Sequence, residues 1–358
     1  MKLREIRELV DLHRRLVAIP SPSHEEEAVA ACSAEWLDRP GIRVERLGRN
    51  VVAFAGEGTP LLLNSHLDTV PPTSAWTRDP FDAVEEEGRL HGLGSNDAKA
   101  SVAAMMMALR KVAEEPRGVL AGLMLVVEEE TGGAGTELAW PALRERGFHP
   151  RGVVVGEPTG LQVCTAQKGL LVLKLRARGK SLHAAHGRAL GAVNAVRALA
   201  RALVALDEVD LGGEDPLLGG TTLEPTIITG GQARNMLPEE AVVHLDLRTN
   251  GVLDHDEVVE RIRAAVDVEV EVVSKRLRSV RSDGGADIVQ AACEAAPGGL
   301  RTGSSTMSDM VFFEDVPVVK CGPGQTRRSH TADEFVLRDE LLAGYRFYCE
   351  MMEVLGGM

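Results

Sequence analysis

Short runs of apolar residues, separated by stretches of helical periodicity, constrain this chain more than any other feature. Leu61 to Leu63, Val119 to Val127, Val153 to Val155 and Val316 to Val319 are each short enough to be a strand, and none shows the alternation of a sheet with one wet face. Strands buried on both faces read this way, and they belong to largely parallel sheets covered by helices. Leu3 to Ile19 supplies one covering helix: Ile6, Val10 and Val17 fall on one stripe, and Pro20 and Pro22 stop it.

Between about Gln167 and Val280 the pattern changes. It reads strand (Leu170 to Ala177), helix (Ala192 to Leu206), strand (Thr226 to Thr229), strand (Ala241 to Leu247), helix (His255 to Val266), strand (Val268 to Val273). The order βαββαβ is the ferredoxin-like unit, which has its own core. Apolar runs of the first kind resume at Ile288 to Ala292, read as another strand, and at Val316 to Val319. The expected class is therefore α/β, a mostly parallel sheet with covering helices plus an inserted ferredoxin-like domain. The expected boundaries are residues 1–166 and 281–358 for the interrupted domain and 167–280 for the insertion. A length of 358 residues suits two cores better than one.

Composition removes several classes of function. Hydrophobic residues at 44% and charged residues at 26% describe a folded globular chain. A formal charge of −13 speaks against nucleic acid as a partner, because a phosphate-binding surface needs clustered Lys and Arg. No segment reaches the roughly 18 apolar residues of a membrane span, and the charged start is no secretory leader. Cys32, Cys164, Cys293, Cys321 and Cys349 are scattered, with no CxxC spacing, and read as reduced thiols. A cytoplasmic enzyme fits these features.

Ionisable residues recur just after the apolar runs. His66 and Asp68 follow Leu61-Leu-Leu-Asn-Ser, Glu128 to Glu130 follow a second run, Glu157 a third, and His330 follows a fourth across Gly322-Pro-Gly324. Asp97, in Gly92-Leu-Gly-Ser-Asn-Asp97, directly precedes a helix with an apolar face of Val102, Met105, Met106 and Leu109. In open parallel sheets the carboxyl ends of the strands line the ligand crevice, so these side chains can meet. Taken singly they have plain readings: Asp97 a helix N-cap, the Glu run a solvated turn, each His a satisfied one, Glu157-Pro a turn start. Taken together, carboxylates and imidazoles in one crevice repel unless cations sit among them. Imidazole with carboxylate and no thiolate suits zinc, cobalt or manganese, and paired ions are a common hydrolytic arrangement. Asp97 can bridge two ions. In a strand His66 and Asp68 share a face, so Asp68 can accept the second ring N–H of His66 and fix its tautomer.

The motifs Ser65-His-Leu-Asp-Thr-Val70, Gly92-Leu-Gly-Ser-Asn-Asp-Ala-Lys99, Glu128-Glu-Glu-Thr-Gly132, Gly156-Glu-Pro-Thr159, Gly179-Lys-Ser-Leu-His-Ala184, Asn235-Met-Leu-Pro238, Asp246-Leu-Arg248 and Ser329-His-Thr-Ala-Asp-Glu334, in this order, resemble the M20 family of zinc-dependent amidohydrolases and exopeptidases over essentially the whole chain. The resemblance implies a zinc-exopeptidase-like fold with an inserted dimerisation domain and two metal ions per subunit, zinc first and cobalt or manganese as substitutes. It implies His66 and Glu157 on one ion, Glu130 and His330 on the other, Asp97 between them, Asp68 in support, and Glu129 as general base. His183 would act from the partner of a homodimer, steadying an oxyanion. Asn235, Arg248, Gly322 and Arg328 are the residues it offers for substrate, with a structural ion pair as the competing reading of Arg248 and surface charge as that of Arg327 and Arg328.

Leu-Leu-Asn64 onward, Gly94 to Ser101 and Gly322 to His330 are most similar to the acetylornithine deacetylase branch in its shorter forms. The resemblance then implies hydrolysis of N-acetyl-L-ornithine, N-succinylornithine or N-acetylcitrulline in arginine biosynthesis. Ser95-Asn-Asp-Ala98 and Ala100 depart from the commoner family pattern. The competing readings are a succinyl-diaminopimelate or carrier-protein-lysine deacylase, a dipeptidase and, from another class, a non-catalytic metal-binding scaffold dimer.

Overall fold

The apolar runs become the centre of a mixed sheet in a computed structural model that describes residues 2–115 and 118–357. Val119–Val126, Thr59–His66, Val153–Val155 and Val318–Lys320 lie side by side in that spatial order, and every pairing among them is parallel. Leu63 sits opposite Leu123 on one side and Val154 on the other. The antiparallel strands Asn50–Gly56 and Ile42–Leu47 extend one edge, and Val163–Gln167 joins the other. The sheet is thus parallel at its core and antiparallel at its margins. The α/β class read from the sequence holds.

The helix Lys99–Glu114 shows why the central strands need no polar face. Its residues Ala100 to Leu109 are all buried, because the helix packs on the sheet and is itself covered by Leu3–Val17 and Arg338–Gly357. An element apolar all round is stable only when covered all round. The first helix stops at Val17, two residues short of the expected end.

One apolar run takes the other form. Ile288 to Ala292, expected as a strand, lies within the helix Asp287–Ala295. A five-residue apolar run is compatible with either structure. Ile288, Val289, Ala291 and Ala292 here bury one face of a helix that packs on Val318–Lys320 and on Arg338–Gly357.

The chain divides into two compact units. One holds the chain up to Thr165, Arg281–Thr302 and everything from Ser308; the other holds Ala166–Val280 with the short return Gly303–Met307. In the second unit the strand order is Thr222–Gly230, Glu240–Thr249, Gly169–Arg178, Glu269–Leu277, all antiparallel. With the helices Ala195–Leu206 and His255–Ala265 this is the ferredoxin-like βαββαβ order. Alternate residues Leu171, Leu173, Leu175, Val243, Leu245 and Leu247 are buried against Leu199, Val258 and Ile262, the period of two that a one-sided sheet requires.

Leu63 is fully buried in the central parallel strands. Leu63→Ala is expected to lower stability by about 2–5 kcal/mol in equilibrium denaturation. A loss below about 1 kcal/mol would contradict the packing described.

Candidate metal centre

Four adjacent parallel strands end at the same edge of the sheet, and each delivers ionisable groups at its last residue or in the loop that follows. His66 closes Thr59–His66, Glu129 and Glu130 follow Val119–Val126, Glu157 follows Val153–Val155, and His330 follows Val318–Lys320. Asp97 comes from elsewhere. It stands one residue before Ala98, which caps the helix Lys99–Glu114, so it is not the N-cap itself.

Asp97 lies between two imidazoles and presents one oxygen to each. Oδ1 is 3.3 Å from His66 Nε2, and Oδ2 is 3.8 Å from His330 Nε2. Each histidine has a glutamate beside it: Glu157 Oε1 lies 3.9 Å from His66 Nε2, and Glu130 lies 3.0 Å from His330 Nε2. Ligand atoms of His66, Asp97 and Glu130 all fall within 4.8 Å of one another. His66 and Glu157 are buried, and His330 is open to solvent.

Charge crowding is written into the acidities. Burial and then the neighbouring Asp97 push Glu157 up to about 8. Burial and then Glu157 hold Glu129 well above the ordinary carboxylic range. His66 moves the opposite way for an imidazole in an apolar setting: burial pulls it down, yet Asp68, Asp97 and Glu157 together raise it well above its usual value. The bond to Glu130 raises His330 to about 9. Cations are what such a set is short of, and imidazole plus carboxylate donors fit divalent transition ions. His66 Nε2 points into the cluster while Nδ1 is held 2.9 Å from the Asp68 carbonyl oxygen, which fixes the ring by its far side.

Asp68 therefore supports His66 mainly through its backbone, with its carboxylate 3.5 Å away. That carboxylate accepts from Ser23 Oγ at 2.7 Å and from the backbone N–H groups of Glu129 and Glu130. Against the cost of burial, His66 first and then these donors keep Asp68 below the usual carboxylate range.

The other candidates divide by location. Gly322 is buried behind the centre, and a Cβ there would meet Ser101 Oγ at 2.5 Å and the Glu157 carbonyl at 2.7 Å, so its small size serves close packing. Arg328 stands near His330 in the chain, but its guanidinium is taken by a two-pronged pair with Glu340 at 2.6 and 2.9 Å and lies over the Phe335 ring. Arg327 is exposed. In the ferredoxin-like unit, Arg248 is paired with Asp246 at 2.7 and 3.1 Å. His183 and Asn235 are both exposed there and are joined by the Ala184 N–H donating to the Asn235 carbonyl at 2.8 Å.

The structure adds groups the sequence did not single out. Glu334 and Glu26 are buried acids whose oxygens accept backbone N–H groups of the site loops. Asp309 lies buried with Thr136 Oγ1 donating to it at 2.6 Å, and burial pushes it up to about 7. Glu334 closes the motif that contains His330, which was a usable signal. Glu26 is hidden in a Glu-Glu-Glu run that reads as surface.

The chain is similar to known proteins over most of its length. Residues 62–354 match the profile described as Peptidase family M20/M25/M40. A succinyl-diaminopimelate desuccinylase of Wolinella succinogenes is 30% identical over 97% of this chain and 99% of its own length. An acetylornithine deacetylase of Proteus mirabilis is 29% identical over 91% of each chain. Among solved structures, aminopeptidase PepT of Bacillus cereus shares the fold with a TM-score of 0.80 at 20% identity, covering 98% of both chains.

His13 braces the loop that carries Asp97: its Nε2 is 2.8 Å from the Ser95 carbonyl, and burial holds its pKa down to about 4. The unfolded chain takes up that proton near pH 6.5 and the folded chain does not. The stabilisation is therefore complete above pH 6.5 and is lost as pH falls towards 4, by roughly 3 kcal/mol in all. Unfolding free energies of the native chain and His13→Gln, measured from pH 7 to 4, should converge by about that amount. A pH-independent difference would overturn the assignment.

Proposed function

Because the chain belongs to Peptidase family M20/M25/M40 and is a metal-dependent amidohydrolase, we propose that it cleaves the amide bond of a small N-acyl amino acid with two divalent ions held at Asp97. The observation that carries this reading is the aim of the two Asp97 oxygens, one at each imidazole, with a glutamate beside each. His66 and Glu157 would hold one ion, His330 and Glu130 the other, and Asp97 both. Zinc fits these donors best, with cobalt or manganese as substitutes. When bound, such ions polarise the acyl carbonyl and lower the pKa of a water.

Glu129 is the group left to move protons. It shares its loop with Glu130, faces His66 and Glu157, and holds a proton more tightly than an ordinary carboxylate, because burial and Glu157 oppose its charge. A carboxyl group so tuned can take a proton from water and return it to the departing amine. Asp68 orients both Glu129 and Glu130 through their backbone N–H groups.

The ferredoxin-like unit supports a homodimer. Thr222–Gly230 is an edge strand with Ile227 and Ile228 exposed, and the exposed Val196 approaches Gly230 from the neighbouring helix. Unpaired edges with apolar side chains call for a partner strand. In such a dimer His183, with Asn235 beside it, would enter the partner's site and steady the oxyanion. The five free thiols suit a reducing compartment such as the cytoplasm.

For substrate, the leading reading is N-acetyl-L-ornithine, or the N-succinylornithine and N-acetylcitrulline variants, as a step of arginine biosynthesis. The second is N-succinyl-diaminopimelate, favoured by the Wolinella relative matching almost end to end. With Arg328 and Arg248 engaged in ion pairs, Arg327 is the exposed cation nearest His330 in the chain for a substrate carboxylate.

Three measurements test these readings. A turnover screen of N-acetyl and N-succinyl derivatives of ornithine, citrulline, lysine and diaminopimelate, with zinc or cobalt supplied, should show one preferred ornithine compound. Cleavage of none would sink the biosynthetic reading. Glu129→Gln should keep its metal content and lose about 10²- to 10⁴-fold in kcat, and an unimpaired variant would remove Glu129 from its role. Mixing inactive Glu129→Gln and His183→Ala subunits should restore activity, since one site of the mixed dimer is then intact; no recovery after proven exchange would place His183 outside the partner's chemistry.

A further inference from the structure

Six backbone N–H groups on two irregular loops all end on three buried carboxyl groups. Gly94 N donates to Glu334 Oε2 at 2.9 Å, while Asn96 N and Asp97 N both donate to Glu334 Oε1 at 2.8 Å. Glu129 N and Glu130 N donate to the two oxygens of Asp68 at 3.1 Å each, and Glu128 N donates to Glu26 Oε1 at 3.1 Å. These loops carry Asp97, Glu129 and Glu130. Asp97, the residue between the two imidazoles, has no strand to hold it, and its own N–H is one of the three that Glu334 takes.

We propose that Glu334 is a positioning residue of the metal centre, which by accepting the N–H groups of residues 94, 96 and 97 aims the two Asp97 oxygens at His66 and His330. The inference rests on the metal reading above. Glu334 is 2% exposed, so no water can replace it as acceptor for those donors. Burial and then Asp97 push the Glu334 carboxyl up to about 8, while the three N–H donors favour its ionised form, in which both oxygens only accept. An amide in the same place keeps one oxygen and turns an NH₂ group towards at least one backbone N–H. The loop must then shift, and Asp97 shifts with it. Aspartate keeps the charge but falls one methylene short.

A plain anchor for the loop would lower stability without acting on the ions. Titration of the full chain with Co²⁺, followed by its visible absorption, separates the two roles. Leu355→Ala serves as the control, because Leu355 is fully buried in the helix Arg338–Gly357 and supplies no group to these loops. Glu334→Gln is expected to raise the apparent Kd for Co²⁺ by about 10- to 100-fold and to alter the absorption band. Leu355→Ala should lose thermal stability yet keep the native Kd and band. Glu334→Asp, which carries the test should the Gln variant not fold, should bind Co²⁺ with a Kd between the native and Gln values. Native Kd and band in the Glu334 variants would overturn the positioning role while leaving the metal reading in place. A native chain that takes up no Co²⁺ would overturn the metal reading itself.

Discussion

Repulsion among carboxylates gathered at one sheet edge is the interaction on which the rest of this structure depends. Four parallel strands end together, and at or after their ends lie Glu129, Glu130 and Glu157 with two histidines, joined by Asp97 from a helix start. Without compensation such a group resists ionisation, as the raised positions of Glu129 and Glu157 show. The imidazoles compensate in part, and His66 is raised in consequence although it is buried. The proposed ions complete that balance and turn a costly arrangement into one poised for hydrolysis.

Such a cluster needs precise backbone, and the backbone that bears it is irregular. Glu128, His330 and Asp333 all have positive φ without being glycine, a conformation that persists only where surroundings impose it. The groups that hold the loops of Asp97 and of residues 128–130 are themselves acidic. Glu334, Asp68 and Glu26 sit buried behind the site and accept the N–H groups of its loops. Arg49 in turn pairs with both Glu26 and Glu128. Layers of charge and hydrogen bond thus replace the regular ladders that hold the strands.

Much of the site is legible one residue at a time because its positions follow apolar runs. His66, Glu157 and His330 are each found by asking which residues come after a buried strand. Glu129 and Glu130 are not separable that way, since three identical residues follow Val127 and only the motif resemblance tells them apart. Glu26 is illegible for a related reason, as its triplet looks like solvated surface and its burial depends on packing from distant segments. The helix Asp287–Ala295 reads as a strand because five apolar residues fit either period. Arg328 looks free beside His330, and only the fold brings Glu340 and Phe335 to it.

Local chemistry along the chain was enough for the α/β class, for the βαββαβ order of the middle segment and for a set of candidate ligands, because periodicity and side-chain type act over a few residues and survive in the linear text. The aim of Asp97 at two imidazoles was decided by tertiary structure alone. So were the capture of its loop by Glu334, the backbone rather than carboxylate grip of Asp68 on His66, and the pairing of Arg328 and Arg248. Each depends on which groups meet across tens to hundreds of residues, or on the angle at which neighbours face one another. Hydrogen bonds and ion pairs are decided at a few ångströms in space, and sequence distance says little about those.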